Sequence, residues 1–176
     1  KHNNKIIGIG RKKYDLRSTK VIMLDEGFNV INDSNKDFIK AEDPRIFYHK
    51  QDGNNILYMV DNTLDDIHLH QISHNINKIY KLDIKGKNFS FISHNNNLYF
   101  IHTMIPFALY KIIFTTKTKN NIYETKLEKQ SVTNNTNNII GDNDEYRGGT
   151  VGYPINKNNY YGYGHRTYYV EDDNNE

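Results

Sequence analysis

Short apolar segments separated by turns rich in Asn, Asp and Gly recur along the whole chain, and this pattern constrains the fold more than any other feature. The segments are rich in β-branched and aromatic residues, as strands are. No segment has the period of a long amphipathic helix. Strands that follow one another through short turns, without helical crossovers, form antiparallel meanders. The sequence therefore predicts an all-β fold with strands at residues 5–11, 19–25, 45–50, 55–61, 66–73, 78–84, 89–93, 97–103, 108–116, 121–128, 150–155, 159–165 and 167–170.

The overall composition excludes several classes of protein. With 176 residues, the chain is long enough for one domain with its own core. Its 23 basic and 21 acidic residues are interspersed, so neither a nucleic-acid nor a membrane partner is expected. The absence of cysteine excludes disulfides, thiolate metal sites and cysteine nucleophiles. No apolar run approaches the ~20 residues that span a bilayer, and the first residues lack a signal peptide's long apolar stretch, so we expect a soluble protein, cytoplasmic or viral rather than secreted.

A strong bias towards Asn, Lys and Ile marks the sequence, with Asn-rich tracts at residues 94–97 and 134–138. Such a bias is produced by A+T-rich coding, which suggests a large DNA virus or a protist as the source. The chain starts without Met, inside a segment with a strand pattern. We therefore expect a fragment, in which residues 1–170 form a single domain that is incomplete at one or both ends and residues 171–176 form an acidic tail.

Three stretches, at residues 42–61, 87–102 and 148–165, share one pattern. Each has a polar motif, a short strand, an Asn-containing turn and a tyrosine-bearing strand. The step from Asn55 to Asn97 is 42 residues, close to the ~40–45 residues of a four-stranded propeller blade. The next step, to Asn159, is 62 residues and contains the second Asn-rich tract, and surface loops tolerate such insertions. The repeat predicts the blades of a β-propeller.

A propeller would bring the three polar motifs together. The first strand of each blade lines the central channel, so residues at equivalent starts of first strands converge on one axis, and convergent polar groups in a concavity are the usual sign of a binding site. The residues expected to ring this pocket are Asp43, Arg45, Lys87, Asn88, Ser90, Gly149 and Thr150.

The same motifs resemble glycoside hydrolase family 130, the five-bladed β-propeller family of mannoside phosphorylases and β-mannosidases. The resemblance is carried by EDPRIF (42–47), KNFSF (87–91), RGGT (147–150) and YGYGHRTYY (161–169), and it extends from about Gly8 to Tyr169. It implies a five-bladed propeller, or part of one, with antiparallel four-stranded blades. The implied ligand is a β-mannoside-like oligosaccharide or glycan.

The resemblance also implies roles for individual residues. Asp43 corresponds to the general acid of the family, and Arg45 with nearby basic residues would hold substrate or phosphate. The Gly-Gly-Thr and Gly-His stretches would line the sugar or phosphate subsite. The chain departs from the family at Gly86 and Phe89, where relatives carry Glu and Trp. This departure favours an alternative, in which the chain is a non-catalytic glycan-binding or structural viral propeller with a decayed active site.

The chemistry of the reaction remains open at this point. Asp43 could instead form an Asp-Pro turn that pairs with Arg45. Arg11, His165 and Arg166 would lie near the same pocket if strand ends converge, and such cations favour inorganic phosphate as a co-substrate. Hydrolysis would instead require a second carboxylate, for which the sequence offers Asp61, Asp142, Asp144 and Glu145.

Two further patterns invite functional interpretations. His68 and His70 share one strand face, as ligands of a metal could. No third ligand is evident, so we predict a solvated face, no metal and no cofactor. Aromatic rings stack on the apolar faces of sugars, and the tyrosines that could form such a platform are Tyr160, Tyr161, Tyr163, Tyr168 and Tyr169.

Overall fold

A computed structural model describes residues 6–12, 15–24, 29–32, 39–40, 44–62, 67–72, 77–86, 89–104, 107–133, 145–148, 152–157 and 159–167. Every regular element in these ranges is a strand, so the all-β prediction is confirmed for this part of the chain. The strands are β1 (Ile6–Lys12), β2 (Asp15–Leu24), β3 (Val30–Asn32), β4 (Ile39–Lys40), β5 (Arg45–Gln51), β6 (Asn54–Asn62), β7 (Ile67–Ile72), β8 (Asn77–Leu82), β9 (Ser90–His94), β10 (Asn97–Met104), β11 (Phe107–Lys119), β12 (Ile122–Thr133), β13 (Glu145–Gly148), β14 (Tyr153–Pro154), β15 (Tyr160–Tyr161) and β16 (Gly164–Thr167). No helix long and apolar enough to cross a membrane occurs in the described ranges.

Eight strands form one large sheet in the order β5-β6-β7-β8-β12-β11-β10-β9. It consists of two antiparallel meanders, β5 to β8 and β9 to β12, each with four strands. The meanders are joined by their last strands, because β8 and β12 pair in parallel. The sheet curls until its two end strands contact each other, so it resembles a nearly closed barrel.

Three hairpins of this sheet turn through only two residues. The turn residues are Asp52-Gly53, Asn95-Asn96 and Asn120-Asn121, with φ between 46° and 81°. Positive φ at both central residues defines the type I′ turn, whose twist matches that of paired strands. Asn, Asp and Gly adopt this conformation at little cost. The Asn-Asn turn predicted in the second repeated stretch is therefore a hairpin connection of the sheet, whereas in the first stretch the turn is Asp52-Gly53, and Asn54 and Asn55 already belong to β6.

The inner face of the curled sheet encloses an aromatic core. Alternate residues of each strand point inwards, as the period of two requires. Phe47 stacks on Phe91 from the other meander, with ring centroids 4.5 Å apart, and Tyr80 meets Phe114 at 4.7 Å. The other buried members of this core are Tyr58, Val60, Ile67, Leu69, Leu82, Phe89, Leu98, Phe100 and Ile112. Both meanders thus share one core.

The contact between the end strands β5 and β9 is made by side chains, and we call it the seam. Besides the Phe47–Phe91 stack, His49 Nδ1 lies 2.9 Å from Ser93 Oγ. At the turns, the backbone N–H of Asp52 donates to Asn96 Oδ1 at 3.3 Å. Because β5 and β9 are the two ends of the hydrogen-bonded strand order, the barrel is closed without a ladder between them.

The remaining described strands form three smaller sheets. β2 pairs with β1 on one side, and on the other it pairs with β3 at its C-terminal end and with β4 near its middle. β13 pairs with β16, and β14 pairs with β15 inside them, so this part of the chain is a nested hairpin. Gly152 N–H, just before β14, donates to the carbonyl of Phe91 at 2.9 Å, which attaches the nested hairpin to β9.

The meanders match the predicted blades in strand number, but the structure joins them differently. The hydrogen bonds between β8 and β12 make one continuous sheet of eight strands, whereas propeller blades are separate sheets arranged around a channel. The all-β class with consecutive four-stranded meanders is therefore confirmed for the described strands. The five-bladed propeller stays a prediction.

Candidate functional site

The predicted site residues fall into two groups. Arg45 is the first residue of β5 and is half-buried, while Arg11 lies in β1, and His165 and Arg166 lie in β16. The others lie outside the described residues, and they are Asp43, Lys87, Asn88, Gly149 and Thr150. Ser90 is buried, with 3% of its surface exposed. The convergence of these side chains on one pocket stays a prediction.

Portions of the three repeated stretches nevertheless meet in space. The seam brings β5 of the first stretch against β9 of the second, and Gly152 of the third bonds to Phe91 in β9. This approach requires glycine, because a Cβ at position 152 would lie 2.7 Å from Ile92 Cγ1. The segment from Gly152 to Pro154 therefore lies close against the main sheet.

A cavity of about 480 Å³ opens at this junction, and we call it the hairpin cavity. Its lining is mostly apolar with three polar side chains, a composition typical of ligand pockets. The polar residues are Lys50, Asn55 and Ser93, and the others are Ile46, Phe47, Tyr48, Leu57, Gly152, Tyr153 and Pro154. Residues of all three repeated stretches line this one cavity.

Three tyrosines are exposed next to the hairpin cavity, on β14, β15 and the residues that follow; we call this region the tyrosine hairpin. The exposed fractions are 56% for Tyr153, 49% for Tyr161 and 71% for Tyr163. The rings of Tyr153 and Tyr161 stack with centroids 5.8 Å apart, and Tyr163 meets Tyr161 edge-on at 6.5 Å. Tyr161 and Tyr163 are among the tyrosines that the sequence offers for a platform, whereas Tyr153 is not, because its contact with Tyr161 depends on the β14–β15 pairing.

Tyr160, also a predicted platform residue, instead anchors the hairpin. Its hydroxyl oxygen lies 2.6 Å from His94 Nδ1 and 3.3 Å from the carbonyl oxygen of Ser93. The amide of Asn95 donates to His94 Nε2 at 2.8 Å, so the ring proton of neutral His94 is on Nδ1 and is donated to Tyr160. The tyrosine hydroxyl then donates to Ser93. Burial raises the pKa of Tyr160, which keeps this donor protonated.

A second polar arrangement lies on the opposite face of the sheet from the aromatic core. Asp61 of β6 is paired with His68 of β7, His68 with Lys81 of β8, and Lys81 with Glu124 of β12. Residues directly opposite each other on neighbouring strands point to the same face. The four side chains therefore form a row across four strands, which we call the polar row. At its end Lys117 Nζ lies 3.1 Å from Glu124 Oε2.

Asp61 is the buried end of the polar row, with 2% of its side chain exposed. His70 Nε2 donates to Asp61 Oδ2, and His68 Nδ1 lies 3.5 Å from Oδ1. Burial alone would raise the pKa of Asp61, but the hydrogen bonds and the attraction of His68 and His70 together bring the pKa below the ordinary value of 3.8. The carboxylate is therefore ionised at neutral pH.

The two histidines share one strand face, as predicted, but that face is not solvated. The side chains of His68 and His70 are only 16% and 12% exposed, because both turn towards Asp61. This contact depends on the β6–β7 register, which no local sequence pattern indicates. Among the described residues, no group of three or more His, Asp or Glu side chains could hold a metal ion.

A second cavity, of about 500 Å³, lies along the polar row, and we call it the row cavity. Its lining is mainly polar and consists of His68, Lys81, Asp83, Lys119, Asn120, Ile122, Tyr123, Glu124 and Thr125. His68 Nδ1 faces Asp61, so Nε2 lies on the far side of the ring from that carboxylate. A histidine oriented by a carboxylate can accept a proton in catalysis, and His68 is the residue of the row with this arrangement.

Models of protein families, the curated proteins and the solved structures were all searched, and none of them matches this chain.

Proposed function

We propose that this protein binds a glycan in the hairpin cavity. The observation that carries the proposal is that residues of all three repeated stretches line this single cavity. The same stretches carry the resemblance to glycoside hydrolase family 130, whose members act on β-mannosides. A β-linked, mannoside-like oligosaccharide is therefore the ligand that we propose.

The chemistry of the cavity suits a sugar. A sugar ring presents an apolar face that packs on aromatic rings and hydroxyl groups that require hydrogen-bond partners. Tyr153 lines the cavity and stacks with Tyr161 outside it, which supports a path for a longer oligosaccharide. Lys50, Asn55 and Ser93 supply polar groups for the hydroxyls.

Replacing Tyr153 by alanine is expected to weaken glycan binding about tenfold, because an aromatic contact contributes roughly 0.5–1.5 kcal/mol beyond its area. Isothermal titration calorimetry with β-mannooligosaccharides measures this effect. Tyr153→Phe keeps the ring and should retain the affinity. Lys119→Ala, an exposed change in the row cavity, serves as the control. An unchanged affinity of Tyr153→Ala would show that the sugar does not bind in the hairpin cavity. Absence of binding to any β-linked oligosaccharide would refute the proposal.

A second candidate is enzymatic, and the polar row favours it. Here the protein is a glycoside phosphorylase or hydrolase with Asp43 as general acid, as the resemblance implies. Val60 is the partner of Arg45 at the start of β5, and Asp61 follows Val60 directly. The Asp61–His68 pair therefore lies at the end of β6 that adjoins the start of β5. Arg45, the first residue of β5, follows Asp43 by two residues in the chain. This pair would supply the proton acceptor that hydrolysis requires.

The enzymatic candidate implies a five-bladed propeller as the proposed fold. The two consecutive four-stranded meanders support the propeller. The parallel pairing of β8 with β12 argues against it, because that pairing would have to separate for each meander to become a blade. Binding in the hairpin cavity requires no such rearrangement, so it is the better supported of the two candidates.

Asp43→Asn is expected to reduce glycoside cleavage by about 10²–10⁴-fold, because general acid catalysis contributes an effect of that size. Cleavage is followed as sugar 1-phosphate release in the presence of inorganic phosphate, or as reducing sugar in its absence. Asp52→Asn, at an exposed turn position, is the matched control and should leave the rate unchanged. Full activity of Asp43→Asn would exclude the assigned role.

A further inference from the structure

The seam is the least continuous part of the barrel, since β5 and β9 are the ends of the strand order and are held by side chains. Its central polar contact joins His49 to Ser93, with Nδ1 and Oγ 2.9 Å apart. The backbone N–H of Lys50 donates to the same Oγ at 3.0 Å. One serine hydroxyl thus connects the side chain of His49 and the backbone of β5 to β9.

The environment of His49 opposes a positive charge. The residue is 1% exposed and lies beside the ring of Tyr58, with centroids 6.2 Å apart. Among the described residues, the titratable groups that face it are Tyr58 of β6 and Asp52 at the β5–β6 turn, while β9 contributes the neutral hydroxyl of Ser93. Burial lowers the pKa of His49, and the attraction of Asp52 offsets this only in part. The closed seam therefore holds a neutral imidazole.

The hairpin cavity depends on the seam being closed. Phe47 of β5 and Ser93 of β9 both line the cavity, and these two residues are also seam contacts. The tyrosine hairpin is attached to β9 through Phe91 and His94. A movement of β9 away from β5 would consequently carry one wall of the cavity away from the other.

We propose that the seam is an acid-sensitive latch, in which protonation of His49 separates β5 from β9 and releases the sugar from the hairpin cavity. The release step rests on the proposed glycan binding, whereas the opening of the seam does not. A protonated His49 needs solvation that the closed seam does not provide, since burying a charge costs more than burying a polar group. Opening admits water to the ring.

The direction of the pH effect follows from linkage. Because the pKa of His49 in the closed seam lies below the ordinary value of 6.5, the open state takes up the proton more readily. The seam is fully stable above pH 6.5. Its stability falls as the pH drops from 6.5 to the pKa of the closed state, and it levels off below that value.

Hydrogen–deuterium exchange of the intact chain tests the latch without a ligand. After correction for intrinsic rates, amides of β5 and β9 should exchange at least about tenfold faster at pH 5 than at pH 7.5, while those of β7 and β8 change little. His49→Gln keeps a side-chain amide near Ser93 but does not titrate, so its seam should be insensitive to pH. His102→Gln removes a histidine that lies outside the seam and should behave as the wild type.

Two outcomes would overturn the latch: an acid response of β5 and β9 that persists unchanged in His49→Gln, or no response in the wild-type protein. If the glutamine variant fails to fold, the wild-type titration of His49 by NMR replaces it, and a midpoint that does not coincide with the exchange transition rejects the latch. Titration with mannobiose at both pH values is run in parallel. If the seam opens in acid but the protein binds no mannobiose, the glycan proposal is refuted and the latch is retained.

Discussion

Replacing Phe100 by alanine is expected to lower the free energy of unfolding by about 3–5 kcal/mol, the cost of removing a large aromatic side chain from a packed core. Phe100 is completely buried. Its ring contacts those of Phe89 at 5.4 Å, Phe91 at 6.1 Å and Tyr110 at 5.3 Å, measured between centroids. Alanine at this position would leave a cavity between the rings of these three residues. Urea denaturation followed by circular dichroism measures the loss.

The matched control for this change is Tyr163→Ala. Tyr163 is 71% exposed, so its removal should change the stability by no more than about 0.5 kcal/mol. A loss below about 1 kcal/mol for Phe100→Ala would mean that the shared aromatic core is not formed as described.

Asp61→Asn is expected to destabilise the protein by about 2–4 kcal/mol at pH 7, since it removes a buried charge that accepts a hydrogen bond from His70 and attracts His68. The asparagine amide also places a donor beside these two histidines. The effect should depend on pH. Since the pKa of Asp61 is lowered in the folded protein, its contribution is complete above pH 3.8 and is lost as the pH falls through the lower folded value.

Urea denaturation at pH 7 and near pH 2 tests both the size and the sign of this effect. The difference between wild type and Asp61→Asn should be large at pH 7 and smaller at the acidic value. Asp52→Asn provides the comparison, because Asp52 is an exposed turn residue. Equal losses at the two pH values would show that the carboxylate charge contributes nothing and that the asparagine only disturbs packing.

The local structure was predictable because it follows from periodicity and turn chemistry. The predicted strands at 45–50 and 97–103 correspond to β5 (Arg45–Gln51) and β10 (Asn97–Met104). The Asn-Asn dipeptide at residues 95–96 indicated a turn because Asn tolerates positive φ. By contrast, the segments predicted at 108–116 and 121–128 extend to Lys119 and Thr133 in the structure. Residues 117–119 of β11 and residues 129–130 of β12 are polar and exposed, so hydrophobic alternation could not reveal these extensions.

The site was less predictable because it depends on long-range pairing. The contact of Asp61 with His68 requires the β6–β7 register, the addition of Lys81 requires the β7–β8 register, and the addition of Glu124 requires the parallel pairing of β8 with β12. No local pattern specifies either. The repeat analysis did place β5 and β9 at equivalent positions, and these strands are neighbours at the seam. Which faces of the two meanders meet could be seen only in three dimensions.

The parallel pairing of β8 and β12 has a consequence for the order of folding. Tyr80 and Tyr123, partners in this pairing, are 43 residues apart in the sequence, whereas the hairpins within each meander close locally and quickly. During synthesis the first meander can therefore form while β8 still has an open edge. An open strand edge is a template for association with another chain. We expect slow translation or truncation before Ile122 to promote aggregation through β8, and completion of β12 to remove that risk.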